Sequence, residues 1–547
     1  MRNQQRFFMA DETHQAREDI IRDTIGDFGR WQLKISLLMS LLKFPMAWFQ
    51  MSIIFLAPPM SFWCRKPEDA DEWMRLYDVE NATASNEGLN KGHCYMTNST
   101  DNQSYNVACP YGYVYNTSVF KSTITSEWNL VCANQRLMDV TQVTLMFGVL
   151  TGNVVCGILA DKHGRRKILL FCILFQAVLG MVASYVPWFW VFVVVRFLLA
   201  IANGGSMVTS FVICMESVGG QWRTLVSIFY HVPFVLSYSI MSGVAYLLRD
   251  WRQFHFALSS LSALYILYVW LIPESPRWLL AVGMKTEATA VLKAAASENK
   301  RDPDQVQKVV EEFIGVSTEQ RNKVPFKSLF TTTELRKRTV LLALVWAISG
   351  VTFYAFSQYT GHIGDNIFVV VAVTGLFAVP GFTICAVLIG TLGRRYTQIV
   401  AHVATAICFI SLLLVPKGVY TYDWPRILLS GLGATGTAMS LPALYLYTGE
   451  LYPTVLRNAG VGFASMCARL ASMVAPLVLA LQESAQYLPL AVLAAITLAE
   501  VGLILLLPDT GSRWLPNTIE EVEMSAPKRS ALKNNRKYQS VLQKEVY

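Results

Sequence analysis

Twelve long stretches of apolar residues dominate this sequence, and they carry almost no charge. A bilayer core about 30 Å thick is crossed by a helix of about 20 apolar residues. Because lipid offers the backbone no hydrogen-bond partners, such stretches cross it as helices. The prediction is therefore an all-α membrane protein with twelve transmembrane helices. These predicted helices, called spans 1 to 12, cover residues 35–58, 138–160, 168–187, 189–210, 224–247, 254–273, 339–360, 366–391, 397–415, 426–448, 459–481 and 487–508.

The charged residues, 15% of the chain, lie mostly outside the spans. Lysine and arginine concentrate in alternate short connections, which the positive-inside rule places in the cytoplasm. They are Lys162, Arg165, Arg166 and Lys167 after span 2, Arg223 after span 4, Arg394 and Arg395 after span 8, and Arg457 after span 10. The prediction is a plasma-membrane protein with both termini cytoplasmic. Its segments are a cytoplasmic N-terminal segment 1–34, a first six-helix half 35–273, a cytoplasmic loop 274–338, a second half 339–508 and a cytoplasmic tail 509–547.

The connection between spans 1 and 2, residues 59–137, is predicted to be a large extracellular loop. It contains four Asn-x-Ser/Thr sequons, at Asn81, Asn98, Asn102 and Asn116, which are predicted glycosylation sites. It also contains Cys64, Cys94, Cys109 and Cys132. Four cysteines in an oxidising compartment predict two disulfides, and the sequence leaves three pairings open.

The two halves of the chain repeat each other at an offset of about 230 residues. Gly-Arg-Arg follows span 2 at Gly164 and follows span 8 at Gly393. A glutamate precedes an arginine by seven residues at the end of span 4 and again at the end of span 10. Arg196-Phe-Leu-Leu-Ala opens span 4, and Arg426-Ile-Leu-Leu-Ser opens span 10. Three such matches in the same order predict a duplicated six-helix unit with a substrate site between the two copies, the architecture of major facilitator transporters.

The repeated charges predict gates. Asp161 and the arginines of the glycine turn can pair with charges on a neighbouring helix and latch one conformation. The predicted gating residues are Asp161, Arg165, Arg166, Glu216, Arg223, Glu450 and Arg457. The alternative is that these charges only set the membrane topology through the positive-inside rule. That alternative explains the arginines but does not explain the acidic residues. The second half has glycine where the first has Asp161, so its latch is predicted to be weaker.

Longer motifs carry a family resemblance over about residues 25–515. They are Glu127-Trp128-Asn129-Leu-Val-Cys132 before span 2, Glu274-Ser275-Pro276-Arg277-Trp278-Leu279 after span 6, and Glu450-Leu-Tyr-Pro453-Thr-Val-Leu-Arg457 after span 10. With these segments the chain resembles the organic cation, organic anion and carnitine transporter family of solute carriers, within the major facilitator superfamily. The resemblance implies two pseudo-symmetric six-helix halves and alternating-access transport.

Charged residues inside spans are costly and usually face a cavity. Lys43 lies near the middle of span 1, Arg469 lies deep in span 11, and Glu500 lies within span 12. Arg469 is too deep to reach the interface easily, so a cavity role is predicted. Snorkelling or a mutual structural pair is an equal alternative for Lys43 and Glu500.

The resemblance implies that position 469 selects substrate charge, since cation carriers have an aspartate there and anion or carnitine carriers an arginine. Cation-type and anion-type residues near Pro380 are both missing, because Ala378 and Phe382 occupy those positions. The resemblance also implies that aromatic residues Phe353, Tyr354 and Tyr445 line the cavity, together with His231. The predicted substrate-binding residues are thus Arg469, Phe353, Tyr354, Tyr445, His231 and Lys43. Helix packing is the plain alternative for the rings, and a neutral hydrogen-bonded role is the plain alternative for His231.

The predicted function is a polyspecific secondary transporter of small organic ions, favouring carboxylate-bearing anions or zwitterions that resemble carnitine or β-alanine. The alternatives are an organic cation transporter of the same family and a non-transporting receptor or scaffold. No Walker loop, dinucleotide fingerprint or metal-spaced His/Cys cluster occurs in the sequence, so no enzyme activity, cofactor or metal is predicted. Predicted partners are the substrate, the lipid bilayer and a coupling ion or exchange substrate. The basic charge flanks membrane spans, so nucleic acid is not a predicted partner, and no oligomeric state is predicted.

Overall fold

A computed structural model describes residues 20–65, 94–100, 103–109, 112–220, 222–317, 326–453, 455–510 and 523. Two predicted glycosylation sites, Asn81 and Asn102, lie outside these residues, as does nearly all of the predicted tail 509–547.

The described residues form the predicted helical bundle. Eleven of its helices are long and apolar enough to cross a membrane, and span 1 is a twelfth that is divided into shorter segments. The helices are Arg30–Leu41, Lys43–Met51 and Ile53–Leu56 (span 1), Arg136–His163 (span 2), Arg165–Tyr185 (span 3), Phe189–Ser217 (span 4), Trp222–Phe229 and Val232–Leu248 (span 5), Trp251–Ala263 and Tyr268–Leu271 (span 6), Thr333–Tyr359 (span 7), Ile367–Thr391 (span 8), Arg394–Leu414 (span 9), Trp424–Leu451 (span 10), Arg457–Ser472 and Ala475–Ala480 (span 11), and Leu488–Leu505 (span 12).

Span 1 is interrupted next to its buried lysine. Pro45 has no N–H, so it cannot satisfy the carbonyl of Leu41 four residues earlier. The Tyr265 hydroxyl, from the neighbouring span 6, donates to that carbonyl at 2.9 Å instead. A break inside lipid is tolerated where another helix supplies the missing partner. This contact fixes the backbone that presents Lys43.

Prolines mark two further breaks. Span 5 has a turn at Tyr230–His231, after which a new helix starts with Pro233 in its first turn. Span 11 is likewise divided, and Pro476 lies in the first turn of its second segment. Pro380 and Pro442, by contrast, lie inside continuous helices. The turn in span 5 places His231 at a helix end within the membrane region.

The two halves pack in the same way. In the first half span 4 packs on spans 2 and 3, span 6 on span 3, and span 5 on span 1. In the second half span 10 packs on spans 8 and 9, span 12 on span 9, and span 11 on span 7. Between the halves, span 5 packs on span 8 and span 11 packs on span 2. A pseudo-twofold axis therefore relates the contacts within one half to those within the other. The same axis relates the contact of spans 5 and 8 to that of spans 11 and 2, as the sequence repeat predicts.

The loop before span 2 has two disulfides, Cys64–Cys109 and Cys94–Cys132. Two small antiparallel ribbons lie in this loop, Phe62–Cys64 with Tyr113–Tyr115 and Tyr95–Thr100 with Gln103–Ala108. Cys64–Cys109 joins the two ribbons, and Cys94–Cys132 joins the second ribbon to the residues that precede span 2. Asn98 lies in the second ribbon, and Asn116 is exposed just after the first. Glycosylation of either residue stays a prediction.

The end of this loop is fastened to the first half. The carboxylate of Glu127 pairs with Arg252 and accepts a 2.7 Å hydrogen bond from the Trp251 indole. The Trp128 indole donates to the Pro187 carbonyl at 2.9 Å. These bonds explain the Glu-Trp-Asn motif as an anchor between the loop and the ends of spans 3 and 6.

The described residues between the halves include three α-helices, Pro276–Val282, Lys285–Glu298 and Pro303–Ser317, and a 3-10 helix, Phe326–Phe330. The second and third α-helices pack on the short helix Ile20–Ile25 near the N-terminus. The Asn299 amide ties them together, since it donates to the Ile25 carbonyl at 3.0 Å and to the Gln32 side chain at 2.7 Å. These α-helices therefore extend the first half beyond the membrane region.

Candidate functional site

A cavity lies between the halves, bounded by spans 1, 4 and 5 on one side and spans 7, 8, 10 and 11 on the other. All six predicted substrate-binding residues line it: Lys43, His231, Phe353, Tyr354, Tyr445 and Arg469. The cavity volume is about 60 Å³. That is room for several waters. The cavity is thus narrow in this conformation.

Two cations face this cavity. The Lys43 side chain is 1% exposed, and its ammonium lies 4.6 Å from the centre of the Tyr230 ring. The Arg469 guanidinium donates to the Tyr354 hydroxyl and lies 3.5 Å from the Met207 sulfur. No aspartate or glutamate is among the described residues that line the cavity. The cavity is therefore electropositive, and an anion is the charge that it attracts.

Glu500 lies elsewhere, so the alternative that it pairs with Lys43 is wrong. Its carboxylate accepts a hydrogen bond from Ser349 and lies 3.3 Å from the His402 ring nitrogen. Glu500 is on span 12, its carboxylate contacts Ser349 of span 7 and His402 of span 9, and it is not one of the residues that line the cavity.

Tyr354 links Arg469 to the opposite half. Its hydroxyl donates to the Gln50 side-chain oxygen at 2.7 Å. Gln50 in turn donates to Asn203 at 2.7 Å, and Asn203 donates to the Met46 carbonyl at 3.2 Å. A continuous chain of hydrogen bonds thus runs from the cavity arginine into the first half. Neither Gln50 nor Asn203 was predicted as a site residue, because an uncharged amide in an apolar span is a weak sequence signal.

Aromatic rings form the remaining wall. Tyr445 lies against His231 at 6.2 Å between ring centres and against Trp346 at 4.5 Å. Phe353 contacts Tyr354 and, across the halves, Phe234. Rings of this kind bind apolar bodies through buried area and bind cations through their faces.

The halves are also joined at the end of the bundle that carries the disulfide-bonded loop, called the loop end. Phe368 of span 8 lies 5.8 Å from the Phe55 ring and 5.3 Å from the Phe120 ring, between ring centres. The Ser239 hydroxyl of span 5 donates to the Ala372 carbonyl of span 8 at 2.8 Å. These contacts cover the cavity on the side of the loop.

At the opposite end, the first-half latch contains an arginine between two acids. Arg165 lies 2.8 Å from Asp161 and 3.3 Å from Glu216, measured between side-chain nitrogen and oxygen. Gly164 forms the turn with a φ of +105°, and a Cβ there would lie 2.5 Å from the Glu274 carboxylate. That carboxylate accepts from the backbone N–H groups of residues 165 and 166 at 3.0 and 3.1 Å. Glycine is required by both the backbone angle and the space.

The other two arginines among the predicted first-half gating residues, Arg166 and Arg223, donate to backbone carbonyls. Arg166 donates to the Val269 carbonyl at 2.6 Å, and Arg223 donates to the Val218 carbonyl at 2.8 Å. Arg166 therefore joins span 3 to span 6 through the backbone rather than through an acidic side chain.

The second-half latch has a single acid. Arg394 lies 2.8 Å from Glu450, and Arg457 donates to the Gly449 carbonyl at 2.7 Å. Arg395 donates to the Leu505 carbonyl of span 12, as Arg166 does to span 6. Gly390 stands where the first half has Asp161. The fewer charges agree with the predicted weaker latch, although its strength stays a prediction.

Comparison with known proteins places these features in context. Residues 94–476 match the family model described as Major Facilitator Superfamily. Solute carrier family 22 member 3 of Mus musculus is 31% identical over 91% of this chain and 94% of its own length. Organic anion transporter 3 of Sus scrofa is 30% identical over 92% of each chain. The organic cation transporter protein of Drosophila melanogaster is 28% identical over 92% and 94%.

Solved structures show the same fold. The inward-open xylose transporter XylE from E. coli is 15% identical, covers 90% of this chain and 99% of its own, and has a TM-score of 0.62. XylE bound to 6-bromo-6-deoxy-D-glucose gives a TM-score of 0.58 at 16% identity, over 90% and 98% of the two chains.

Proposed function

Because this chain belongs to the Major Facilitator Superfamily and, within it, to solute carrier family 22, we propose that it is a polyspecific secondary transporter of small organic ions that favours substrates with a carboxylate. It is an integral membrane protein, and its relatives are transporters rather than enzymes.

The observation that carries the substrate preference is the pair of cations in the cavity. Lys43 and Arg469 line it, and no acid does so among the described residues. A guanidinium binds a carboxylate through two parallel hydrogen bonds. Arg469 now donates to Tyr354, and a substrate carboxylate would replace or extend that contact. The rings of Phe353 and Tyr445 would hold the apolar body of the substrate.

Alternating access supplies the mechanism of this proposal. The loop end is closed by contacts between spans 5 and 8, so opening there requires those contacts to separate. The proposed gates at the opposite end are the two latches, with Asp161, Arg165, Arg166, Glu216 and Arg223 in the first half. Glu450 and Arg457 act with Arg394 in the second. Charge pairs of this kind bias one of two states when they form and release it when they break.

The two ends of the bundle are proposed to lie on opposite sides of the membrane. The end of the bundle that carries the two latches is rich in basic residues, which supports a cytoplasmic location. The sequons in the loop support an extracellular location for the loop end. Both termini then lie in the cytoplasm of a plasma-membrane protein, and a coupling ion or exchanged substrate drives uptake.

Transport of organic cations is a second candidate, and the aromatic wall of Tyr445, Trp346 and His231 favours it because ring faces attract cations. Lys43 and Arg469 weigh against it, since they repel a cation in a cavity without an acid. A non-transporting scaffold is the remaining alternative, and a polar cavity linked across both halves weighs against it.

Uptake by cells that express the chain tests the proposal, with a labelled monocarboxylate, carnitine or β-alanine, and a small quaternary cation as paired probes. We expect carboxylate uptake by the wild type and loss of at least tenfold in Arg469→Asp, because the substitution replaces attraction by repulsion, an effect of at least about 1.4 kcal/mol. Arg469→Lys is the matched control, since it keeps the charge and loses only the planar fork.

Wild-type uptake of the quaternary cation alone would contradict the substrate preference. So would full carboxylate uptake by Arg469→Asp. A chain that reaches the cell surface and transports none of the probes would instead support the scaffold alternative.

A further inference from the structure

The second half contains a buried carboxylate that the cavity does not use. Glu500 is fully buried, and one of its oxygens, Oε1, accepts from the Ser349 hydroxyl. The same oxygen lies 3.3 Å from His402 Nε2. The other oxygen, Oε2, is buried and has no hydrogen-bond partner among the described residues.

The charges around Glu500 leave it without a full counter-ion. His402 of span 9 is the titratable side chain in contact with it, and span 7 contributes the uncharged Ser349. Arg395 binds the Leu505 carbonyl at the end of span 12, five residues or about 7.5 Å along the helix from Glu500. No lysine or arginine in the described chain forms an ion pair with Glu500. A bare carboxylate at such a position is costly in hydrocarbon, and a proton on Oε2 removes that cost.

His402 fits the role of the partner. Its Nε2 lies 3.1 Å from the Gln398 side-chain oxygen as well as 3.3 Å from Glu500. Both neighbours accept hydrogen bonds, so this nitrogen carries a hydrogen. When Glu500 loses its proton, the imidazole hydrogen and the Ser349 hydroxyl remain to stabilise the carboxylate.

The cluster touches the helices that line the cavity. Ser349 precedes Gly350, which is a lining residue of span 7. Gln398 donates to the Ser440 carbonyl of span 10 at 2.7 Å, next to the lining residue Leu441. A change of charge at Glu500 therefore acts on spans 7 and 10 together.

We propose that Glu500 and His402 form a reversible proton-binding site whose occupancy is coupled to transport. The proton sits on Oε2 in the conformation described here and leaves for water when the cluster becomes hydrated. The coupling rests on the proposed function, whereas proton binding itself does not.

Infrared difference spectra of the purified full-length chain, between acidic and alkaline buffer, test proton binding without any substrate. We expect the C=O band of protonated carboxylic acids in the wild type to contain a component that is missing in Glu500→Gln. Glutamine keeps an acceptor for Ser349, so the variant is expected to fold. Asp423→Asn is the matched control, because Asp423 is equally buried but lies at the loop end. The proposal is overturned if the carboxylic C=O band of Glu500→Gln equals that of the wild type over the whole pH range, because the other acidic residues contribute equally to both proteins.

Uptake under an imposed pH gradient tests the coupling. We expect the gradient to stimulate uptake of the transported probe several-fold in the wild type and not at all in Glu500→Gln. Uptake that ignores the pH gradient, or that follows replacement of sodium at constant pH, overturns the coupling. If no probe is transported, the proposed function has failed, and the infrared band still decides whether the site binds a proton.

Discussion

The two halves share one packing plan but differ in the chemistry of their buried polar clusters. In the first half the cluster consists of amides and hydroxyls, with Gln50, Asn203 and Gln176 joined by hydrogen bonds. In the second half a buried cluster between spans 7, 9 and 12 holds Glu500 and His402. Amides keep one charge state at every pH, whereas a carboxyl and an imidazole exchange protons. The amides of the first cluster therefore form a fixed bridge, whereas the second cluster can exchange protons.

The latches of the two halves also differ, in the number of acidic side chains that contact the central arginine. The first half places Arg165 between two acids, and the second half gives Arg394 one. The first half is also extended by the α-helices between the halves and by the anchored loop. The first half therefore has more fixed contacts, and the predictions below test that asymmetry.

The largest effect is expected from the fixed bridge. Gln50→Leu leaves two buried groups, the Tyr354 hydroxyl and the Asn203 oxygen, without this partner. At roughly 1–3 kcal/mol for each group, the fold should be destabilised by about 3 kcal/mol. Tyr354 also loses its link to the first half, so the Michaelis constant for a carboxylate substrate should rise. Thermal unfolding of the purified protein and uptake kinetics measure the two effects.

Gln358→Leu is the control for that substitution, because Gln358 is a buried glutamine of span 7 whose side-chain nitrogen has no partner among the described residues. Equal melting temperatures and equal Michaelis constants for the two variants would show that the bridge is unimportant.

A smaller effect is expected from the latches. Arg165 is 11% exposed and contacts two acids, so Arg165→Ala should shift the conformational equilibrium by about 2 kcal/mol, or roughly thirtyfold. Arg394 is 32% exposed and contacts one acid, so Arg394→Ala should shift it by about 1 kcal/mol, or roughly fivefold. Uptake normalised to the amount of protein at the cell surface should fall more in the first variant. An equal fall would mean that the latches are equivalent.

The smallest effect tests whether the missing acid explains the difference. Asp161 is 75% exposed, so Asp161→Asn should weaken the first latch by only about 0.5 kcal/mol. Gly390→Asp places an acid four residues before Arg394, and a Cβ at Gly390 meets no atom within 4 Å. It should strengthen the second latch by a similar amount. Gly390→Asn introduces a side chain of similar size without the charge. If Gly390→Asp and Gly390→Asn change uptake equally, the cause is not electrostatic.

Charge was the feature that made the site predictable from sequence. Lys43 and Arg469 stand out because a cation in an apolar span is expensive, and the structure brings both to one cavity. The glycine-arginine turns stand out because they recur at corresponding span ends. Gln50 and Asn203 do not stand out in the sequence. A neutral amide costs little in a helix, and these two hydrogen-bonded residues lie 153 residues apart along the chain.

Features that depend on a distant partner were equally hard to predict. The break in span 1 follows from Pro45, but it is tolerated because Tyr265 of span 6 reaches Leu41. The cysteines of the loop predict two disulfides but leave three pairings open, and the structure shows that Cys64 pairs with Cys109 and Cys94 with Cys132. Glu500 was recognised as a costly charge, but its neighbour His402 lies on another helix and came from the fold alone.

The anchored loop has a practical consequence for anyone who wants to watch this protein move. Glu127 and Trp128 fasten it to spans 3 and 6, while Phe120 is a contact with span 8 of the other half. A fluorophore or antibody fragment on the loop therefore reports the position of the first half as a whole. A second label at the loop end of span 9 marks the second half. The distance between the two labels should then change whenever one half rotates relative to the other.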